Sequence, residues 1–383
     1  MANETNYSTK LIRLWKEATK GVTPGTIAQA YSVTAISLSL TETQKTEKNP
    51  TLGNGGQASP TDFGASDYAG NIECKYTGGI MPILMNQIIG RATKTTAATA
   101  GWVTLTLHAV GDIVSTTTGS HTLVCVTAGT TGVTEPVYTS KVEGDLITDG
   151  TVVWMFRAKE LKKYVGSLNP CLETMGIEIV SETGCEVSPV SFTERYTGVF
   201  LNTFEIAKSG GNVIYKYSLP TVAMGRVDSE QAGWTAAIIT TETAIVDRAY
   251  GYDDVKILVA GVEPVNCNSF KMTINRNTTL EYGVKVGERI DNTPIVTADG
   301  EMVLKFTKEQ YALVYANPTQ TVSITMANGN GDKTILTFPM VETLRAPLTY
   351  STDRPIYLTI KLGAVGDAST STVSYETVSD TNW

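Results

Sequence analysis

The sequence has little of what catalytic, metal-binding and disulfide-bonded proteins need. Its 383 residues include two histidines, His108 and His121, and five cysteines without a CxxC pair. These counts argue against a zinc site of the usual ligand spacing and against a disulfide framework. No nucleophile elbow, Walker loop or dinucleotide-binding glycine pattern occurs either. We therefore expect no enzyme active site, no cofactor and no metal site.

The sequence is also poor in charge and has no long hydrophobic run. Charged residues make up 18 % of the chain, and the net charge is −8. An acidic chain offers no basic groove for nucleic acid, and a surface of this sign would repel DNA that passes it. The most apolar stretch, IMPILMNQII, is shorter than the roughly 18 residues of a membrane helix, and the N-terminal segment lacks the apolar region of a signal peptide. We expect no membrane insertion.

One phrase occurs twice in the chain. Residues 70–77 read GNIECKYT and residues 300–307 read GEMVLKFT, so Gly, Lys and Thr recur at the same offsets. An alternating stretch that is typical of a half-buried strand precedes each phrase, at 31–43 and at 268–277. A helical pattern and several further strand patterns follow each phrase. This shared order predicts a mainly β chain that contains two copies of one domain, each with a short helix.

The two predicted helices differ in their signals. In the first, apolar residues between Ile80 and Ile88 have helical spacing, and Gly90 is a candidate C-cap. In the second, over 308–317, Thr307 is a candidate N-cap with Gln310 three residues later, as in a capping box. Asn317-Pro318 would end this second helix.

The first copy is interrupted by a segment with its own strand and turn patterns. Residues 97–159 alternate polar and apolar side chains and contain turn signals, which favours a small β domain inserted at the surface. We expect Trp102 and Trp154 to form its core. The predicted domains are therefore 1–96 with 160–225 for the first copy, 97–159 for the insert, 226–252 for a linker and 253–383 for the second copy.

Each copy also contains a long polar stretch between the alternating strand and the repeated phrase. These stretches, 44–69 and 278–299, are longer than most loops of compact domains, and such loops are often functional. Disorder is one interpretation, and an arm that reaches a neighbouring molecule is the other. For the second interpretation we predict contacts from Thr46, Asn49, Pro50, Leu52, Asn54, Pro60, Phe63, Tyr68, Leu280, Tyr282, Val284, Arg289 and Ile290.

These features resemble the tail tube proteins of long-tailed phages. The resemblance rests on the order of strand, long loop, G-x-x-x-x-K-[YF]-T strand, helix and returning strands. It also rests on the opening LWKEATKGVTPGT and the late segments VKILVAGVEPV and TILTFPMVET. The insert resembles small β modules of phage tail proteins through Trp102, Gly111-Asp112, the run AGTTGVTEP and DGTVVW. An aromatic residue that such modules have after Glu-Pro is shifted here to Tyr138, which argues against carbohydrate binding.

The resemblance implies a β-sandwich or barrel subunit that polymerises into stacked rings, with joined sheets lining a channel for DNA. Rings of the family usually contain six domains, so a duplicated chain predicts three copies per ring. The implied partners are the chain itself, other tail proteins at the tube ends, and the tape measure protein and DNA in the lumen. The implied location is the virion tail, after assembly in the host cytoplasm. The alternatives are another virion structural, decoration or glycan-binding tail protein, and a glycan hydrolase, for which no carboxylate pair is a candidate.

Overall fold

A computed structural model describes most of the chain. The described residues are 7–22, 24–33, 35–48, 61–119, 121–169, 173–183, 191–209, 216–223, 225–231, 234–245, 248–264, 267–277, 279–282, 289–292, 296–305, 307, 319–345, 357–366 and 371–383. Strands dominate this part of the chain, which confirms the mainly β prediction. No sheet closes into a barrel within it. No described helix is long and apolar enough to cross a bilayer.

The elements fall into four groups, which we name here. Copy one contains β1 (Tyr7–Lys16), β2 (Thr26–Val33), β3 (Ala35–Lys48), β4 (Thr61–Lys75), α1 (Met81–Ile88), β14 (Met175–Thr183), β15 (Ser191–Leu201), β16 (Thr203–Ser209), β17 (Lys216–Ala223), β18 (Gly225–Asp228) and β19 (Ile238–Ala244). The stalk contains β5 (Thr93–Thr96) and β13 (Lys162–Ser167). The insert contains β6 (Ala100–Gly101), β7 (Leu107–His108), β8 (Ile113–Ser115), β9 (Thr122–Thr127), β10 (Gly129–Thr130), β11 (Leu146–Asp149) and β12 (Val152–Arg157). Copy two contains β20 (Val255–Val259), β21 (Cys267–Asn275), β22 (Thr279–Tyr282), β23 (Arg289–Asn292), β24 (Thr297–Lys305), β25 (Thr319–Ala327), β26 (Lys333–Arg345), β27 (Tyr357–Val365) and β28 (Ser374–Ser379).

Two large sheets carry most of these strands. The first has the order β19-β2-β1-β14-β15-β17-β4-β3, with β18 also paired to β15. The second has the order β16-β21-β24-β27-β26-β28-β13-β5, with β25 paired to β26 and β20 paired to β25. The insert forms a five-stranded sheet and a two-stranded sheet, and β22 pairs with β23. One hydrophobic core contains buried residues of both copies, including all the apolar side chains of α1.

Two strand pairs of copy one recur in copy two, each with one matching irregularity. β3 pairs with β4 as β21 pairs with β24, and both ladders shift register near the start, between Ala35 and Ser37 and between Cys267 and Ser269. β14 pairs with β15 as β25 pairs with β26, and both of these ladders also contain one shift. A bulge has a defined place in a sheet, so its recurrence aligns the copies residue by residue.

The first shift places the repeated phrases at equivalent positions. Gly70 in β4 and Gly300 in β24 both lie where the neighbouring strand approaches closely. A Cβ atom on Gly70 would lie 1.5 Å from the carbonyl oxygen of Ser39, and one on Gly300 would lie 2.4 Å from the carbonyl oxygen of Lys271. Both distances are far below a van der Waals contact, so glycine recurs because a side chain has no room there.

The alternating residues after each glycine enter the shared core. Ile72 of β4 is buried, and so are Met302 and Leu304 of β24. Tyr76, the aromatic residue of the first phrase, is also buried. The helix after the first phrase agrees with its predicted start and end: α1 covers Met81–Ile88, and Gly90 has a φ of 127°. The predicted second helix and its capping residues Gln310, Asn317 and Pro318 lie outside the described residues.

Two segments, 31–43 and 226–252, differ from the expectations, whereas the described part of 44–69 is compatible with the predicted arm. The single strand expected over 31–43 is two strands, since β2 pairs with β1 whereas β3 pairs with β4. A chain can change its partner sheet at such a break. The stretch 44–69 is part of a hairpin whose ladder runs to Lys48 opposite Thr61. The expected linker 226–252 contains β18 and β19, which both belong to the first sheet.

The stretch 278–299 also forms a hairpin in its described part. β22 and β23 pair from Thr279 opposite Asn292 to Tyr282 opposite Arg289. Both polar stretches therefore run as paired strands away from equivalent positions of the two copies.

Candidate functional site: the sheet joint between the copies

An edge-to-edge joint connects the sheets of the two copies. β16 continues β15 after Asn202 and pairs antiparallel with β21, from Thr203 opposite Asn275 to Ser209 opposite Ser269. β17 pairs with the end of β15, which β16 continues. Four strands of copy one, in the order β3, β4, β17 and β16, are therefore followed edge to edge by four strands of copy two, in the order β21, β24, β27 and β26. We call this pairing the cis joint.

The core side of the cis joint is apolar and closely packed. Phe204 and Ile206 of β16 are buried, as are Phe270, Met272 and Ile274 of β21. These alternate residues belong to the core that both copies share. Burying five large side chains at one strand pair stabilises it by several kcal/mol at roughly 1.5–3 kcal/mol each.

Tyr76 of the repeated phrase supports β16 directly. Its hydroxyl group donates a hydrogen bond to the carbonyl oxygen of Glu205. Its ring lies 5.3 Å from the ring of Phe204, measured between the ring centres, at an interplanar angle of 58°. Tilted aromatic pairs at this distance are attractive, so the first phrase holds the strand that copy two meets.

Arg276 fastens the end of β21 to copy one. Its side chain is fully buried, and burial lowers its pKa to about 10. The guanidinium group donates hydrogen bonds to the carbonyl oxygens of Ile88, at 2.7 Å, and Asn169, at 2.6 Å. Ile88 is the last residue of α1, where the unpaired carbonyl groups carry partial negative charge. The contact satisfies that helix end with a cation from the other copy.

The opposite face of the joined sheets is polar and charged. The ammonium nitrogen of Lys271 lies 2.8 Å from a carboxylate oxygen of Glu205, across the joint. Further into copy two the same face presents Asp299, Glu301, Lys305 and Lys361, which are exposed. They alternate along β24 and β27 with buried core residues. The joined sheets therefore have one apolar face and one solvated face.

The outer edges of the joined sheets match the two strands of the cis joint. β3 is the copy-one equivalent of β21, and among the described residues it pairs with β4 alone. At the other end, the ladder between β25 and β26 ends at Glu342, whereas β26 continues to Arg345 beside β27. The two ends of the joined sheets are thus equivalent to the two partners that already meet inside the chain.

The predicted arm residues lie on or near the hairpins. Thr46 is on β3, and Phe63 and Tyr68 are on β4. Leu280 and Tyr282 are on β22, and Arg289 and Ile290 are on β23. Asn49, Pro50, Leu52, Asn54, Pro60 and Val284 lie outside the described residues. Their contacts with a neighbouring ring stay a prediction.

Tyr68 lies near the base of the copy-one hairpin. Its hydroxyl group lies 3.3 Å from a carboxylate oxygen of Glu42 on β3, a hydrogen-bonding distance. Its ring is edge-on to that of Tyr196, with 6.4 Å between the ring centres. The side chain is half-buried. Tyr68 therefore anchors the hairpin to its own domain.

The insert has a cluster of its own around two tryptophans and one aspartate. Trp154 is fully buried in this cluster and Trp102 packs against it. Both indole N–H groups donate to the same oxygen of Asp149, at 2.7 Å from Trp102 and 3.1 Å from Trp154. The other oxygen of Asp149 accepts from the backbone N–H of Gly132 at 2.7 Å. Sequence reasoning selected the tryptophans and missed the carboxylate that joins them.

The insert interrupts copy one but rests on copy two. The stalk strand β13 pairs with β28 of copy two, and β5 pairs with β13. The buried Arg157 of the insert donates to the carbonyl oxygen of Asn330 and lies 3.5 Å from a carboxylate oxygen of Asp332, both in the turn before β26. It also forms an ion pair with Glu143. These contacts fix the insert against a particular turn of the second copy.

Among the described residues no group of three His, Cys, Asp or Glu side chains could hold a metal ion.

Comparison with known proteins assigns this architecture to a family. A family model described as phage tail tube protein matches residues 8–376, which covers both copies and the insert. A comparison with curated proteins gives no match. The chain therefore belongs to the phage tail tube protein family and is a structural protein of a phage tail.

Proposed function

We propose that three copies of this chain close into a ring of six tube domains, and that stacked rings form the conduit through which phage DNA is ejected. The observation that carries this proposal is the cis joint. The same pair of strand types that meets inside the chain is present at its two outer edges. A second copy can therefore repeat the joint without a new kind of contact.

The cis joint also predicts the register of the joint between chains. Thr343 of β26 pairs with Leu362 as Leu201 of β15 pairs with Thr221, so these two residues correspond. The next core-face position is that of Arg345, opposite the buried Ile360, in copy two and that of Phe204 in copy one, so Leu344 corresponds to Thr203. Thr43 of β3 corresponds to Asn275 of β21, and Thr203 lies opposite Asn275 in the cis joint. We therefore expect Leu344 of one chain to lie opposite Thr43 of the next.

Closing the ring also removes exposed sheet edges. An unpaired edge strand is a template for uncontrolled association, and natural proteins cover or pair such edges. β3 has 14 residues, which is long for an edge strand. Pairing it with a second copy satisfies its backbone groups and limits growth to a closed ring.

A cysteine pair tests this register. The variant Thr43→Cys/Leu344→Cys places one thiol at each end of the joined sheets. Under mild oxidation we expect disulfide-linked chains that resist detergent and reach three chains but not more. The matched control is Ser39→Cys/Leu344→Cys, in which the first thiol is displaced by four residues, roughly 13 Å along the strand. It should link poorly.

The size of the largest linked product decides the stoichiometry. Products that continue to six chains would contradict the trimeric ring. Tubes that form from the first variant without any link between chains would contradict the proposed joint.

We further propose that the two hairpins of each chain contact the neighbouring ring. They leave equivalent positions of the two copies, so a ring of three chains would present six of them. In the assembled tail the lumen would hold the tape measure protein and then DNA, and other tail proteins would cover the tube ends. Assembly would take place in the host cytoplasm before the tube becomes part of the virion.

A further inference from the structure

The solvated face of copy two carries positive and negative charge in alternation. Lys271 on β21 stands opposite Glu301 on β24, and Glu301 stands opposite Lys361 on β27. Residues directly opposite each other on one face have Cβ atoms about 4.5–5.5 Å apart. One row across three strands therefore reads lysine, glutamate, lysine. Glu301 lies between two lysines, one on each side.

The row continues across the cis joint. Glu205 of β16 holds Lys271 at 2.8 Å, and both side chains remain partly exposed. Asp299 and Lys305 add one charge of each sign on β24. Glu342 of β26 is opposite Gly363, so it lies on the same face, and it is exposed. The described side chains of this face therefore include three lysines, Lys271, Lys305 and Lys361, and four carboxylates, Glu205, Asp299, Glu301 and Glu342.

Copy one presents few charges at the equivalent positions. Ser39 takes the place of Lys271, and Asn71 takes the place of Glu301, and both are exposed. Thr41 and Ala69 are also exposed there and uncharged. Lys75 is exposed and takes the place of Lys305. In copy two Glu205 pairs with Lys271, and Glu301 lies opposite both Lys271 and Lys361.

We propose that Glu301 and Glu205 are shielding residues, which keep the lysines of the channel wall from binding the phosphates of passing DNA. This inference rests on the proposed function, because it takes the solvated face as the wall of the DNA channel. Lysines bind DNA when their contact with phosphate releases counterions. When a carboxylate lies beside a lysine, contact between that lysine and a phosphate contributes little binding free energy, and the carboxylate also repels the phosphate directly. On this account the lysines of the wall are compensated locally, on a face that has one carboxylate more than lysines.

The variant Glu301→Gln tests the proposal in assembled tubes. It keeps the shape of the side chain, lies on an exposed strand position and removes the charge between Lys271 and Lys361. We expect Glu301→Gln tubes to retain a short fluorescent DNA duplex at low ionic strength, in a sedimentation assay in which wild-type tubes do not. The retained fraction should fall steeply with salt, because each phosphate contact adds about −0.9 to the slope of log K against log salt.

Two controls separate shielding from a change in total charge. Glu376→Gln removes one negative charge per chain from β28, where Glu376 pairs with Lys163 at 2.8 Å. It should leave DNA retention at the wild-type level. Glu301→Gln/Lys361→Gln removes one exposed lysine together with its shield and should bring retention back toward the wild-type level. Asp299→Asn provides a second single variant on the same strand.

The outcomes distinguish the two proposals. If Glu301→Gln and Asp299→Asn tubes form and neither retains more DNA than wild type, shielding is wrong and the ring stands. If Glu376→Gln retains as much DNA as Glu301→Gln, total charge explains the effect and shielding is again wrong. If the wild-type chain forms no ring or tube, the proposed function itself fails.

Discussion

At the residue scale, the repeated glycine is the position where one methyl group should matter most. A Cβ atom at Gly300 would meet the carbonyl oxygen of Lys271 at 2.4 Å and the sulfur atom of Met272 at 2.6 Å. We expect Gly300→Ala to lower the free energy of unfolding by about 1–3 kcal/mol, as overpacked sites do. Denaturant unfolding of the unassembled chain measures this. Gly329→Ala is the control, because nothing lies within 4 Å of that site, and an equal loss there would contradict the packing argument.

Asp149 should be as important to the insert as its two tryptophans. Asp149→Ala leaves three N–H groups without their acceptor, and each buried unsatisfied donor costs about 1–3 kcal/mol. We expect the insert to become sensitive to limited proteolysis while the copies stay resistant. The control is Asp145→Ala, which removes an exposed carboxylate that accepts from the N–H of Val142. An insert that resists proteolysis in the Asp149 variant would contradict this account.

The single residues that hold distant parts together could not be predicted from the sequence. Arg276 and Arg157 bind groups that lie far away along the chain, 188 residues away for Ile88 and 173 for Asn330. No local pattern marks such a partner. The two tryptophans could be selected because large aromatic residues usually enter a core. The repeated glycine could be noticed from the sequence, but its cause is the approach of a second strand.

At the scale of elements, the copy-one hairpin should be needed for stacking and not for folding. Replacing residues 47–62 with Asn-Gly keeps the pair Thr46 and Phe63 next to a favourable two-residue turn. We expect a folded chain that forms single rings but no long tubes, measured by electron microscopy. The crosslinking of the ring joint serves as the internal control. Full-length tubes from this variant would show that the hairpin does not link rings.

The insert should keep its orientation through Arg157. Arg157→Ala leaves the buried Asp332 without its cation, and breaking a buried pair costs about 3–5 kcal/mol. We expect faster hydrogen exchange in the turn 328–332 and blurred density for the insert in images of the tube. Lys159→Ala is the control, because its ion pair with Asp380 is exposed. Unchanged exchange in the Arg157 variant would mean that the stalk alone holds the insert.

Strand positions were more predictable than strand partners. Period-two alternation over 31–43 and 268–277 marks β structure because one side of each strand is buried. The change of partner between β2 and β3 was missed, since alternation does not tell a continuous strand from one that changes its partner. The polar stretches could not be assigned to strands, because their sequences have no regular hydrophobic period.

At the scale of the whole molecule, duplication would explain why one chain carries both halves of a joint. Copy one supplies β16 and β3, which pairs with β4 alone among the described residues, and copy two supplies β21 and the end of β26. The equivalence of the copies was visible in eight residues of sequence, and the recurring bulges extend it across the pairing of the strands. The joint itself depends on edges that meet 60 or more residues apart in the chain, which no local pattern encodes.

The rotational symmetry of the assembled tube tests the central claim most directly. Cryo-electron microscopy of tubes assembled from the purified chain would measure it. We predict threefold symmetry, with three chains and six tube domains per ring, the β3 edge of each chain paired to β26 of the next, and the inserts on the outside. Six whole chains in each ring, or a ring whose chains meet through other strands, would contradict the account.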